Sequence, residues 1–204
     1  MKECVDINQL IFLRKERPFG KSWEEWTVLW WKWIFSVPKN KNPGYDTTGQ
    51  NFHLNNNDPD VIFLTGTFKD FPGLARRQCT ISRNLSILLP VINYSACLSE
   101  EHIKNEYHLH SEVQSNIDDL TRCNARVDGN EVHLNQYRVQ SPIFEYNFNA
   151  NNVAEVKTGV TKVLADGYWL FLRPLPIGLH EIQIGGTCQA GAINIDAIYY
   201  LAVV

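Results

Sequence analysis

Apolar positions recur with a helical period over Ser22–Pro38, SWEEWTVLWWKWIFSVP. At about 100° per residue, Trp23, Trp26, Trp30 and Trp33 share one face. Thr27 and Ile34 widen that face, Leu29 and Trp31 flank it, and Glu24, Glu25 and Lys32 form the polar strip. Ser22 followed by Glu25 has the spacing of a capping box. Glu24 and Glu25 place negative charge where the helix dipole favours it. Pro38 ends the run and biases Val37 toward extended backbone. The pattern predicts a helix over 22–37, buried on most sides. It is too short and too charged to cross a bilayer.

The period then changes. Lys39–Asp60 is rich in Asn, Pro, Gly and Asp and reads as a long loop. Val61–Phe68, Gln78–Ser82 and Ile87–Tyr94 read as strands within 61–98, with Pro90 marking an edge or a bulge. Residues 99–123 predict a helical insertion of one or two helices, started at Ser99 and Ser111. From Arg126 to the end the pattern is β, with a turn at Val127–Asn130. Strands are predicted at Glu131–Gln140, Pro142–Phe148, Gly167–Leu172, Leu179–Ile184 and Ile193–Val203. Phe144, Tyr146 and Phe148 share a face, as do Ile193, Ile195, Ala197, Tyr199, Leu201 and Val203. Short strands at this spacing predict one mainly β domain over 1–204. The expected form is an antiparallel β-sandwich of jelly-roll or Greek-key type, with an N-terminal Trp-rich helix.

Composition adds limits. The chain has 204 residues and a formal charge of −3, which fits one domain and argues against nucleic-acid affinity. Cys4, Cys79, Cys97, Cys123 and Cys188 form no CxxC pair, so a zinc ribbon or thioredoxin-like motif is not expected. The apolar run Leu10–Leu13 is too short for a signal-peptide core, so the chain as given reads as cytoplasmic, or secreted if a leader has been removed.

Several motifs stand in a familiar order. They are Trp26-x3-Trp30-Trp31-x-Trp33, Asn42-Pro43-x2-Asp46-Thr47-Thr48-Gly49, Phe63-Leu64-x-Gly66-Thr67-Phe68 and Leu89–Asn93. Tyr137-Arg138-Val139, Asp166-Gly167-Tyr168-Trp169 and Gly178-x-His180-x-Ile182 follow. Together they resemble a family of uncharacterised, often secreted bacterial β-sandwich proteins with a Trp-rich N-terminal helix. The resemblance runs from about residue 20 to the end. It implies a β-rich architecture and no particular activity.

Candidate chemistry is sparse. His108-x-His110-x-Glu112 would point three ligands one way on a strand, but it precedes a helix start and reads as polar surface. No metal or cofactor site is assigned. His180 shares a face with Ile182 and Ile184 and reads first as a core histidine. Arg138 pointing inward needs a carboxylate, with Asp46, Asp128 and Asp166 as the candidates. Trp169 either packs in the core or stacks on a flat ligand. Cys79 follows Arg76 and Arg77, which would lower its thiol pKa if close, yet a buried structural cysteine is the simpler reading. Trp30, Asp46, Arg138, Trp169 and His180 are the candidate ligand-binding residues. They suit a non-enzymatic protein that binds a small molecule or carbohydrate. The alternatives are a small hydrolase or isomerase using Asp or His in a cleft beside the Trp helix, and a structural accessory domain.

Overall fold

The computed structural model describes residues 7–68, 71, 73–188 and 193–204. A short helix α1 (Ile7–Leu10) leads into the Trp helix α2 (Trp23–Ser36). The capping box forms as expected. Ser22 Oγ accepts the Glu25 amide at 3.2 Å and the Glu25 carboxylate accepts the Ser22 amide at 2.6 Å. Strands β1 (Val61–Phe63), β2 (Ala75–Ile81) and β3 (Ser86–Cys97) precede helix α3 (Glu106–Asp118). Then come β4 (Leu120–Val127), β5 (Asn130–Glu131), β6 (Phe144–Phe148), β7 (Gly159–Leu172), β8 (Gly178–Cys188) and β9 (Asn194–Val203).

The strands form two sheets, in the orders β1-β3-β7-β6 and β2-β9-β8-β4-β5. Two pairings depart from the antiparallel expectation. β1 runs parallel to β3, and β2 runs parallel to β9. Each parallel pair is reached by a crossover rather than a hairpin, so no turn signal announces it. The expected bulge at Pro90 is present, as a register shift between Pro90 and Ile92, but in a strand flanked by β1 and β7.

The main hydrophobic core contains residues of both sheets and of α2, and a second, smaller cluster packs Leu109 and Val113 of α3 with Ala96, Ile103 and Leu164. Helix α2 lies against the first sheet. Trp23 and Trp26 meet Phe171, Trp26 meets Phe63, Trp30 meets Trp169, and Phe35 meets Tyr146 and Phe148, all with ring centroids 4.9–6.3 Å apart. Four indoles also tie loops to the helix. Trp23, Trp26, Trp33 and Trp30 donate to the carbonyls of Leu13, Pro18, Leu54 and Leu64 at 2.7–3.2 Å. Those bonds satisfy buried polar groups that would otherwise cost about 1–3 kcal/mol each.

Four sequence readings need correction. The strand expected over Val61–Phe68 ends at Phe63. The insertion holds one helix, capped by Asn105, whose side chain accepts the His108 amide at 2.9 Å, rather than starts at Ser99 or Ser111. Residues 120–127 are already strand. Glu131–Gln140 is not a strand but β5, a 3-10 turn at Leu134–Gln136 and an isolated bridge from Arg138 to Tyr168. The turn between β4 and β5 does form at Asp128-Gly129, both with positive φ, the two-residue geometry that such a pair favours.

Candidate functional site

A cavity of about 200 Å³ lies beside the C-terminal half of α2. Its wall is assembled from segments far apart in sequence: Trp30, Trp31 and Phe35 of α2, the stretch 65–68 after β1, Asn93–Cys97 of β3, Phe148 with residues 153–156, and Ile195 of β9. Gly66 is required where that stretch crosses β9, because a Cβ there would lie 2.6 Å from the Ile195 side chain. Tyr45 and Phe68 pack at 5.0 Å and form an aromatic wall.

Three residues of this wall carry buried polar atoms with no hydrogen-bond partner: Trp31 Nε1, Thr67 Oγ1 and Asn93 Nδ2. Trp31 is 4 % exposed and Thr67 is 6 % exposed. Buried polar groups are normally satisfied, so three on one cavity wall is a departure that calls for a partner. Burial raises the Tyr94 hydroxyl pKa, and the nearby Glu112 and Glu100 carboxylates push it further the same way. Burial likewise raises the Cys97 thiol, against the pull of the Ser99 hydroxyl.

Of the residues expected from sequence, Trp30 lines this cavity and Asp46, Arg138, Trp169 and His180 do not. Trp169 is fully buried and meets Trp30 edge to face at 5.3 Å, with its own indole N–H unpartnered. Arg138 pairs with buried Asp166 at 2.7 Å and with Asp118 at 2.5 Å. The Asp166 hydrogen bond raises the Arg138 pKa above its ordinary value. Asp166 is thus the partner among the three acids named from sequence. His180 is held at both ring nitrogens, with Nδ1 2.7 Å from Asp128 Oδ2 and Nε2 2.8 Å from the Pro176 carbonyl. It fastens the β4–β5 turn onto β8.

Asp46 organises its own loop. Oδ1 accepts the Thr48 amide and hydroxyl, and Oδ2 accepts the Asn51 amide, each at 2.8 Å. Burial pulls its pKa up, but these donors outweigh burial and hold the carboxyl below its ordinary value. The Thr48 carbonyl accepts the Gln78 amide at 2.8 Å, which lays the loop along β2. Gly49 is needed at that approach, with φ of +90° and no room for a Cβ beside the Gln78 carbonyl.

The residue that sequence reading missed is Arg77. It is 1 % exposed and donates to the carbonyls of Asp46 (2.8 Å), Thr65 (2.6 Å) and Gly66 (3.1 Å) and to the Tyr199 hydroxyl (2.7 Å). It therefore joins the Asp46 loop to the cavity wall. Its signal was present. β2 begins at Ala75, and alternation from there puts Arg77 on the buried face with Cys79 and Ile81. A start at Gln78 hides it. The neighbouring Cys79 thiol is pushed up to about 12 by burial, which overrides the attraction of Arg77 and fits the reading of a buried structural cysteine.

His108, His110 and Glu112 lie on α3 and not on a strand, so the middle one turns away from the other two. Among the described residues no cluster of three His, Cys, Asp or Glu side chains could hold a metal ion. Cys79, Cys97, Cys123 and Cys188 are free thiols, and Cys4 lies outside the described residues. No described helix is long and apolar enough to cross a membrane. Comparison with protein-family models, curated proteins and solved structures gives no match.

Proposed function

We propose that this protein binds a small molecule in the cavity beside α2 and performs no chemistry on it. The observation that carries this reading is the set of three unpartnered polar atoms on residues of one aromatic-rich wall. Ligand pockets are commonly built this way, mostly apolar with a few convergent polar groups. A volume of about 200 Å³ suits a compound of roughly ring size, since a cavity of about 150 Å³ accepts benzene.

Binding is favoured over hydrolysis or isomerisation by where the acid–base groups lie. Asp46 and His180 are outside the cavity and committed to structural hydrogen bonds. The Cys97 thiol on the wall has a raised pKa, which makes it a poor nucleophile. In the same reading the two sheets form a β-sandwich of jelly-roll or Greek-key type, and the chain is related to the often secreted bacterial proteins that its motifs resemble.

A thermal-shift screen of small metabolites and sugars, run on the wild type and on Ala154→Phe, tests the proposal. Ala154 is on the cavity wall, and the larger side chain fills the space. True ligands raise the wild-type melting point in a concentration-dependent way and leave the variant unchanged. A screen without hits, or hits that stabilise both proteins equally, overturns it.

A further inference from the structure

We infer that the cavity's ligand is a small organic ammonium ion that also carries a hydrogen-bond-accepting oxygen, a zwitterion of the trimethylglycine type; this rests on the binding reading above. Three observations converge on that class.

The first is the sign of the wall. Its described acidic or basic side chains are the carboxylates of Glu100 and Glu155, and no described lining residue is Lys, Arg or His. Glu112 stands behind the wall and accepts the Tyr94 hydroxyl at 3.1 Å. Lys39 pairs with Glu155, which leaves Glu100, whose Oε1 also accepts the Cys97 amide at 2.7 Å, as the carboxylate that sets the sign of the wall and disfavours a simple anion.

The second is the rings. Aromatic faces attract desolvated ammonium groups, and quaternary ammonium ions are recognised by such cages. Trp31, Phe35, Tyr45, Phe68 and Phe148 all contribute to this wall. The protein already places a cation against one of them. Lys39 Nζ lies 5.4 Å from the Tyr45 ring centroid and pairs with Glu155.

The third is the unmet donor. An indole N–H can only donate, so Trp31 Nε1 requires an acceptor. Thr67 and Asn93 add a hydroxyl and an amide without partners on the same wall. A cation alone leaves Trp31 unpaired. A neutral acceptor alone makes no use of Glu100. A molecule with both groups answers both.

Calorimetric titration with four compounds of similar size tests this: trimethylglycine, tetramethylammonium, trimethylacetate and dimethylacetamide. Trimethylglycine is expected to bind tightest, and tetramethylammonium about tenfold more weakly. Glu100→Gln weakens both by roughly tenfold. Trp31→Phe removes the indole N–H but leaves an aromatic ring, so it weakens trimethylglycine several-fold more than tetramethylammonium. Asn93→Ala, on the sheet instead of the helix, gives a second reading of the acceptor contact if Trp31→Phe folds poorly. Trimethylacetate or dimethylacetamide binding as tightly as trimethylglycine, with that binding lost in Ala154→Phe, overturns the ligand class and leaves the cavity reading standing. Failure of all four also overturns the class. The cavity reading itself falls only with the thermal-shift comparison.

Discussion

The indole N–H of Trp30 donates to the Leu64 carbonyl at 2.7 Å and ties the middle of α2 to the end of β1. Its neighbour Trp31 is equally deep and its N–H has no partner. The two residues therefore separate what an indole contributes by packing from what it contributes by hydrogen bonding. Trp30→Phe leaves a buried carbonyl unsatisfied, so it should cost about 1–3 kcal/mol beyond the loss of ring volume. Trp31→Phe loses ring volume only. Urea denaturation of both variants should show Trp30→Phe as the less stable, with Trp31→Phe nearer the wild type.

Arg77 offers a second test. Its guanidinium fork reaches acceptors from the Asp46 loop, the 65–66 stretch and β9 at once. A lysine cannot reproduce that planar set of donors. Arg77→Lys should destabilise by about 2 kcal/mol or more, and Arg77→Met by more still, because several buried acceptors are orphaned together. Amide hydrogen exchange should accelerate first in residues 44–51 and 64–66.

Asp46 predicts a dependence on pH. Its folded carboxyl lies below the ordinary value of 3.8, so the unfolded chain binds more protons around that pH. The stability it contributes is present above about pH 4 and is lost as pH falls through the folded value. Asp46→Asn should flatten the acid limb of the stability curve. At neutral pH the variant should lose about 1 kcal/mol, because one of the two acceptor oxygens becomes an NH2 donor while the other still caps the loop.

Sequence made the secondary elements legible where one period ran long enough. The Trp helix, its capping box and the alternating β9 all appear as read. The pairing partners were not legible, because β1 and β2 join β3 and β9 through crossovers that leave no local mark. The cavity was legible only in part. Trp30 belongs to it, but its wall is drawn from α2, several separate loop segments and strands of both sheets, and only folding brings them together. Arg138 and His180 looked functional because charge on an apolar face is costly. The structure meets that cost locally, with Asp166 for one and with Asp128 and the Pro176 carbonyl for the other. Arg77 was hidden by a strand start placed three residues late.

The most direct measurement is the indole N–H spectrum of the ¹⁵N-labelled protein during titration with a compound that stabilises the wild type but not Ala154→Phe. The Trp31 signal, assigned through Trp31→Phe, should move to the position of a hydrogen-bonded indole as the ligand fills the cavity. The signals of Trp23, Trp26 and Trp33, already bonded to loop carbonyls, should stay in place. A saturated complex in which the Trp31 signal has not moved would contradict the account.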